Sequence, residues 1–495
     1  MMYSQPSTVE AGSHDKLLHQ YNSWSTLWRH SIIYLLGRGL AGVLSFLAIP
    51  IYTRLLSPYD YGRYTLVVAG INLFNVVLFQ WIRIALLRFL PAYMRDPKAL
   101  LSTILAAFSI TALLTGGLGL ILILLWPSWQ EMIALGIPLL WAQAWFELNL
   151  ELARSRLQPV SYSVMSVVKA VLALAFGATL VLWGLRAYGP LIGMLSAMLL
   201  VGVTRHEWVK VGFACEGRLL RELIRYGLPL TATFALSFIV STSDRFLIAY
   251  FLGAEAAGLY AASYDLVQNS LGFLMQTIML AGFPLILRSY HAGNLQAAQK
   301  SLRNSSLLVL GLGIPGAMGI AILAPNIARS LLGMLYAEVA ISILPIIAYA
   351  ILVYGVLEFY YNRAFWIVES SKGILWGMLG AAIVNVILNL ILIPNFGIVG
   401  AAYSTLAAYI CASAVSARVS RKVFPLPRLT PDIYKIIAAS LIMAAFLWFF
   451  TRQWSGIFIF LVQVLLGVGV YFVALAILVQ GSKIYTWLCK KLEVL

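Results

Sequence analysis

Charge is what this sequence has least of. Asp, Glu, Lys and Arg make up 11% of 495 residues against 61% hydrophobic ones, with a mean hydropathy of +0.89. That balance excludes a soluble globular domain and places the chain among membrane proteins. Acidic residues are the scarcer sign, 18 against 34 Lys and Arg, for a net charge of +16. In a soluble chain such an excess points to nucleic acid. Here the basic residues lie in short segments between apolar runs, as orientation signals do, so no nucleic-acid partner is expected. Cysteine is nearly absent. Cys215, Cys411 and Cys489 share no ligand spacing, and with five scattered histidines they make neither a disulfide framework nor a zinc site. No metal and no cofactor are expected. A secretory leader is missing too: residues 1–30 are polar, without a basic-then-apolar order, and read as a cytoplasmic tail.

What is present is a series of long apolar runs. A helix needs about 20 apolar residues to cross the hydrocarbon core. By that measure fourteen spans fit, near 31–52, 64–86, 101–126, 131–150, 162–184, 187–204, 226–250, 259–283, 304–324, 335–357, 373–393, 397–416, 433–450 and 455–480. The expectation is an all-α polytopic membrane protein. With the N-terminus inside, the inner tails and loops hold 26 Lys and Arg and the outer loops 5. This asymmetry puts both termini in the cytoplasm, in a multi-pass protein of the cytoplasmic (inner) membrane. The outer loops are short, the longest lying between Tyr52 and Tyr64. A membrane glycan polymerase, ligase or glycosyltransferase needs a sizeable outer platform for its acid and base residues. The chain is therefore not expected to be an enzyme.

The sequence also repeats. Displaced by 196 positions, Ser45 falls on Ser241, Leu56 on Leu252, Gly62 on Gly258, Tyr64 on Tyr260, Asn72 on Gln268 and Gln80 on Gln276. A second register, displaced by 208, lays Tyr188-Gly189 over Phe396-Gly397. Two six-helix lobes in parallel orientation follow, related by a pseudo-two-fold axis along the membrane normal, with two C-terminal helices appended. The expected division is a tail at 1–30, lobes at 31–204 and 226–416, a cytoplasmic linker at 205–225, a basic linker at 417–432, and the two added helices with a short cytoplasmic tail at 433–495.

Three stretches carry a family resemblance: IPIYTRLLSPYDYGRYT from Ile49, TSDRFLIAYFLGAEAAGLYAASYDL from Thr242 and LIPNFGIVGAAYSTLAAYI from Leu392. In order and spacing they resemble the Wzx-type polysaccharide and O-antigen flippases of the multidrug, oligosaccharidyl-lipid and polysaccharide exporter superfamily. The resemblance implies a V-shaped pair of lobes that opens alternately inward and outward. Its cargo would be an undecaprenyl diphosphate-linked oligosaccharide, moved from the inner to the outer leaflet for surface polysaccharide synthesis. The partners implied are that lipid-linked glycan, membrane lipids, a coupling ion (H⁺ or Na⁺) and polysaccharide polymerase or assembly proteins. A cation-coupled multidrug exporter of the same superfamily is the alternative, and it calls for an acidic pocket rather than a basic one.

Ionisable groups deep in the membrane are functional candidates by default. Arg38 and Lys169 both lie about 5 Å to the cytoplasmic side of their span centres, at 1.5 Å per residue. Two cations at one level suit the diphosphate of a carrier lipid; the alternative is that either snorkels to the surface or pairs with Glu147. Gly37, Gly39 and Gly42 flank Arg38 and permit close approach of a helix or lipid. Asp244 and Arg245 point about 100° apart on their helix, so Arg245 with Asp265 is the expected interhelical pair. The other reading gives Asp244 or Asp265 a coupling ion. Asp265, Gln268, Asn269, Gly272 and Gln276 form one helical stripe, answered in the second span by Asn72, Asn75, Phe79 and Arg83, with Gln80 nearby. Facing amide stripes would line a wet cavity able to accept sugars; the alternative is that they bind one helix to the next. Arg88 and Arg288, at inner helix ends, are candidates to meet a phosphate at the inner mouth, or headgroup anchors.

Overall fold

A computed structural model describes residues 24–94, 96–202, 208, 211–368, 371–429, 432–451, 454 and 456–492. The expected tail up to residue 23 and parts of both linkers lie outside these residues. The described chain is helical, with no strand among the described residues. Hydrocarbon offers no partner for backbone N–H and C=O groups, so an apolar chain must satisfy them within each segment.

In chain order the helices are α1 (Trp24–Leu55), α2 (Pro58–Phe89), α3 (Lys98–Leu125), α4 (Gln130–Ser155), α5 (Pro159–Leu180), α6 (Tyr188–Gly202) and α7 (Gly217–Val267). They continue with α8 (Phe273–His291), α9 (Leu295–Leu331), α10 (Met334–Val356), α11 (Asn362–Ile367), α12 (Ser371–Val423), α13 (Asp432–Thr451) and α14 (Ile457–Leu492). Among the described residues eleven helical runs are long and apolar enough to cross a membrane. One of them, Gly217–His291, is 75 residues long and another, Gly373–Val423, is 51, whereas Tyr188–Gly202 is a shorter apolar helix.

Both long runs bend at a glycine. Gly253 in α7 adopts φ 91°, ψ 170° and Gly397 in α12 φ 61°, ψ −143°, conformations that a residue with a Cβ rarely takes. In the 196-residue register Gly253 answers Ser57, where the first half turns by different means. There α2 starts on Pro58, and Ser57 Oγ accepts the Asp60 N–H at 3.1 Å, a cap with proline at the first helical position. The same corner is thus built once from a cap and once from a glycine. Five-residue π-helical turns interrupt the Gly217–His291 run at Gln268–Gly272 and the Met334–Ile367 run at Leu357–Tyr361, a feature common at functional sites.

Leu86, Leu100, Leu139 and Leu152 centre a core within the first half; Ile343, Ile351, Leu302 and Ala328 belong to a second core that also takes in Met443 and Tyr471 of the last two helices and, from the first half, Ile49, Tyr52 and Tyr61. α13 and α14 are fixed to α9 by polar contacts. Asn326 donates to Gln463 at 2.8 Å, the Tyr471 hydroxyl to the Gly311 carbonyl at 2.6 Å, and Arg303 pairs with Asp432.

The halves close on each other at the end where α1 meets α2. The Tyr336 hydroxyl donates to the Leu56 carbonyl at 3.1 Å and Arg54 to the Ser330 carbonyl at 2.6 Å. Gly62 and Gly258 are also in backbone contact there: a Cβ on Gly62 would lie 3.1 Å from Gly258 N, and one on Gly258 only 2.7 Å from Gly62 N. Towards the other end, a Cβ on Gly227 of α7 would reach the Trp81 backbone of α2, and Phe89 meets Tyr226 with ring centroids 5.7 Å apart.

Candidate functional site

Two cavities lie between the halves and share one wall, the pair Arg245 and Asp265. One, of about 350 Å³, is lined by Gln80 of α2, by Ser237, Ser241 and Thr242 of α7, and by Gln268, Tyr354 and Tyr409. The other, of about 200 Å³, is lined by Ser45, Tyr52, Tyr61, Tyr64, Lys169 and Asn269. Arg245 and Asp265 line both. The repeat-related Ser45 and Ser241 therefore face different compartments.

The dividing wall follows from helix geometry. Arg245 reaches across to Asp265 with contacts of 2.5 and 3.4 Å, while its guanidinium lies 5.6 Å from the Tyr264 ring centroid. Its Nε–H has no hydrogen-bond partner among the described residues. The preceding residue, Asp244, points elsewhere and is fully buried. Asp244 accepts the Tyr260 hydroxyl, the Thr405 hydroxyl at 3.2 Å and the Arg245 backbone N–H at 2.9 Å. Beside it Asn385 accepts the Ser243 hydroxyl at 3.0 Å and the Asn389 amide at 3.1 Å. The groups that touch this buried carboxylate thus all donate hydrogen bonds to it. Among the described residues no group of three or more His, Cys, Asp or Glu side chains could hold a metal ion.

The two deep cations part company. Lys169 lines the smaller cavity, its ammonium 5.8 Å from the Phe146 ring centroid, and has no ion pair among the described residues. Arg38 lines neither cavity. Around it α1 packs tightly, Gly37 onto Ser163 of α5 and Gly42 onto Phe273 of α8. Of the two cations expected to share one anion site, Lys169 lines the same cavity as Arg245 and Arg38 does not. Glu147, weighed as their partner, binds neither. It pairs with Arg83 and accepts the Asn75 and Gln143 amides at 2.9 and 3.1 Å.

That carboxylate also redirects the second-span stripe. Gln143 donates to Asn72 at 2.7 Å, Arg83 donates to Gln80, and Asn75 is 2% exposed. Asn72, Asn75 and Arg83 therefore turn towards α4 of their own half and not across to the other, because a half-buried Glu147 requires donors. Of the α2 amides named from the sequence, Gln80 lines the larger cavity. On the opposite stripe Asp265, Gln268 and Asn269 line the cavities, whereas Gln276 is exposed and lines neither. Arg88 and Arg288 are exposed in the last turns of α2 and α8.

Sequence reasoning missed the cavity tyrosines, Tyr52, Tyr61, Tyr64, Tyr264, Tyr354 and Tyr409, and the pair Asn385 and Asn389. The signal for the latter was available: two amides four residues apart in an apolar run share one helix face.

Residues 27–290 match the family model described as polysaccharide biosynthesis protein. An uncharacterized membrane protein of Methanocaldococcus jannaschii is 27% identical over 199 residues, 39% of this chain and 38% of that protein. The chain thus aligns with well under half the length of that curated relative. Among solved structures, the lipid II flippase MurJ in an inward closed conformation superposes with a TM-score of 0.75 at 18% identity, over 91% of this chain and 99% of its own. An inward-facing multidrug resistance MATE family transporter of the MOP superfamily gives 0.62 at 15%, over 79% and 97%. A MOP superfamily transporter from Pyrococcus furiosus gives 0.55 at 14%, over 80% and 94%. At these identities the likeness establishes the fold, an all-helical multi-pass membrane fold shared with MurJ and the MATE transporters.

Proposed function

Since the chain belongs to the polysaccharide biosynthesis protein family, we propose that it is a flippase carrying a lipid-linked oligosaccharide from the inner to the outer leaflet by alternating access. The carrier would be an undecaprenyl diphosphate. The observation that supports this reading is the pair of compartments at the interface of the halves, where Lys169 and Arg245 stand among Gln80, Gln268, Asn269 and six tyrosines. Cations serve the diphosphate; amides and tyrosine hydroxyls serve sugar hydroxyls, with the tyrosine rings as apolar faces. A cationic drug would meet the wrong charge here. Polymerase or ligase chemistry is disfavoured by the short connections at the Gly62 end.

The reading includes a topology. Counting each side of the bends at Gly253 and Gly397 separately, and adding Tyr188–Gly202, brings the spans to fourteen, with both termini in the cytoplasm and the Gly62 end outside. The lobes at 31–204 and 226–416 are then the moving bodies, closed outside by Gly62 and Gly258.

Asp244 takes the coupling ion in this scheme. It is fully buried, the Tyr260 and Thr405 hydroxyls contact its carboxylate, and the Asn385 amide donates to Thr405 in turn.

The test is reconstitution. Proteoliposomes loaded on one leaflet with a fluorescent polyprenyl diphosphate oligosaccharide should make it accessible on the other, and Lys169→Ala should slow this. Export of cationic amphiphiles without glycolipid movement would discard the flippase reading in favour of the drug exporter.

A further inference from the structure

A third cavity is apolar and larger than either polar one. About 540 Å³ of space lies among α2, α3 and α4 of the first half, closed on one side by Phe246 and Ala249 of α7. Its lining is apolar almost throughout. Thr115 is the exception, and its hydroxyl is already engaged, donating to the Ala112 carbonyl and accepting the Trp141 indole N–H, both at 2.9 Å. The indole N–H groups of Trp126 and Trp129 are the remaining polar side-chain atoms, and no charged side chain lines the space to receive a headgroup. Two glycines make the space: a Cβ on Gly70 would meet nothing within 4 Å, and one on Gly136 would only touch Val67 at 3.7 Å.

The position of this cavity identifies its occupant. It shares two helices with the polar compartment. On α2, residues Leu66 to Phe74 line the apolar cavity and Val76 and Gln80 the polar one. On α7, Phe246 and Ala249 line the apolar cavity, while Arg245 and the residues before it line the polar one. Along one seam, therefore, an apolar chamber succeeds a polar one. A bilayer phospholipid keeps its headgroup at the membrane surface, and its chains have no reason to hang from a polar chamber inside the protein. A molecule whose head lies between Gln80 and Arg245 and whose tail continues along the seam fits both.

We propose that this cavity holds the polyprenyl chain of the lipid-linked substrate while its head occupies the adjoining polar compartment. The inference rests on the flippase reading for the identity of the head. It places the tail on the first half of the molecule, away from the apolar cleft of about 500 Å³ that Leu465, Gly469 and Val473 line with Ile442 on the last two helices.

Two glycine plugs separate these locations. Gly70→Phe fills the chamber of the first half, and Gly469→Phe fills the C-terminal cleft, where a Cβ likewise meets nothing within 4 Å. The full-length protein in nanodiscs is irradiated with a polyprenyl diphosphate bearing a diazirine on its chain, and crosslinks are mapped by mass spectrometry. Crosslinks are expected on residues 66–74, 115–122 and 133–140, competed by polyprenyl phosphate far better than by phosphatidylglycerol. Gly70→Phe should lower them about tenfold, equivalent to ~1.4 kcal/mol, and Gly469→Phe should leave them unchanged. If Gly70→Phe fails to accumulate, Gly136→Leu enters the same space. Crosslinks in the α13–α14 cleft, loss of labelling with Gly469→Phe alone, absence of labelling, or equal competition by phosphatidylglycerol would each overturn the proposal. The assay requires no transport. A protein that labels in the chamber but moves no glycolipid refutes the flippase reading; one that moves glycolipid but labels elsewhere refutes the tail site.

Discussion

Gly62 and Gly258, 196 positions apart, touch reciprocally: a Cβ on Gly62 would strike the Ala254 carbonyl four residues before Gly258, and one on Gly258 the Pro58 carbonyl four residues before Gly62. Such reciprocity is the mark of a two-fold interface, here within one chain. Both obstacles are backbone atoms, so neither can swing aside. Gly62→Ala and Gly258→Ala are each expected to part the halves at this end, at a cost of about 1–3 kcal/mol to the closed state. A cysteine at Thr65, in the cavity wall, should then react faster with a membrane-impermeant maleimide applied from outside. Because both changes break one contact, the double variant should add little to either. Unchanged labelling would show that the contact does not hold the halves shut.

Lys169 and Arg38 make a second comparison. One lines the cavity and the other does not. A charged hydrogen bond is worth about 1.5–3 kcal/mol, so Lys169→Ala should slow glycolipid transport roughly 10- to 100-fold at normal membrane levels, and Lys169→Arg should restore part of it. Arg38→Ala should cost less. Equal losses for the two alanine variants, measured in proteoliposomes, would return Arg38 to the anion site.

The Arg245 and Asp265 pair can be tested for a role beyond structure. Removing one member of a buried pair costs about 3–5 kcal/mol, so Asp265→Ala should lower the yield of folded protein, and Arg245→Ala/Asp265→Ala should recover it. Transport should nevertheless stay low in the double variant if Arg245 also serves the substrate. Full recovery of both would make the pair a strut and nothing more.

For Asp244, the expected outcome of Asp244→Asn is a protein that still binds glycolipid but whose transport no longer responds to an imposed proton or sodium gradient. The asparagine keeps an oxygen for the Tyr260 and Thr405 hydroxyls, which limits the loss of stability to about 1–3 kcal/mol. A gradient response equal to that of the unmodified protein would remove Asp244 from coupling.

Much of the fold is legible in the sequence because hydrocarbon enforces it. The apolar runs, the glycines at 62 and 258 and the matched registers all report constraints local to a helix or a turn. The site was legible along the membrane normal but not around each helix axis. Depth gave Arg38 and Lys169 the same level; which of them faces the cavity depends on how α1 packs against α5 and α8, and that is not local. Likewise the period of Asn72 and Asn75 defined a face without saying which neighbour it meets. The answer lay with Glu147, whose demand for donors is invisible until α4 is placed beside α2. Asn385 and Asn389 passed unnoticed because uncharged amides barely disturb an apolar run, although they are fully buried.

Where α7 turns at Gly253, the chain passes from one crossing to the next with one residue out of helical conformation. A slack loop would let the two arms move independently, absorbing any rotation of one before it reached the other. A one-residue elbow between rigid rods behaves as a crank. Rotation of the arm that carries Asp244 and Arg245 would be passed to the arm that carries Asp265 and the π-helical turn, so the angle between them would set how these two arms shape their side of the polar chamber.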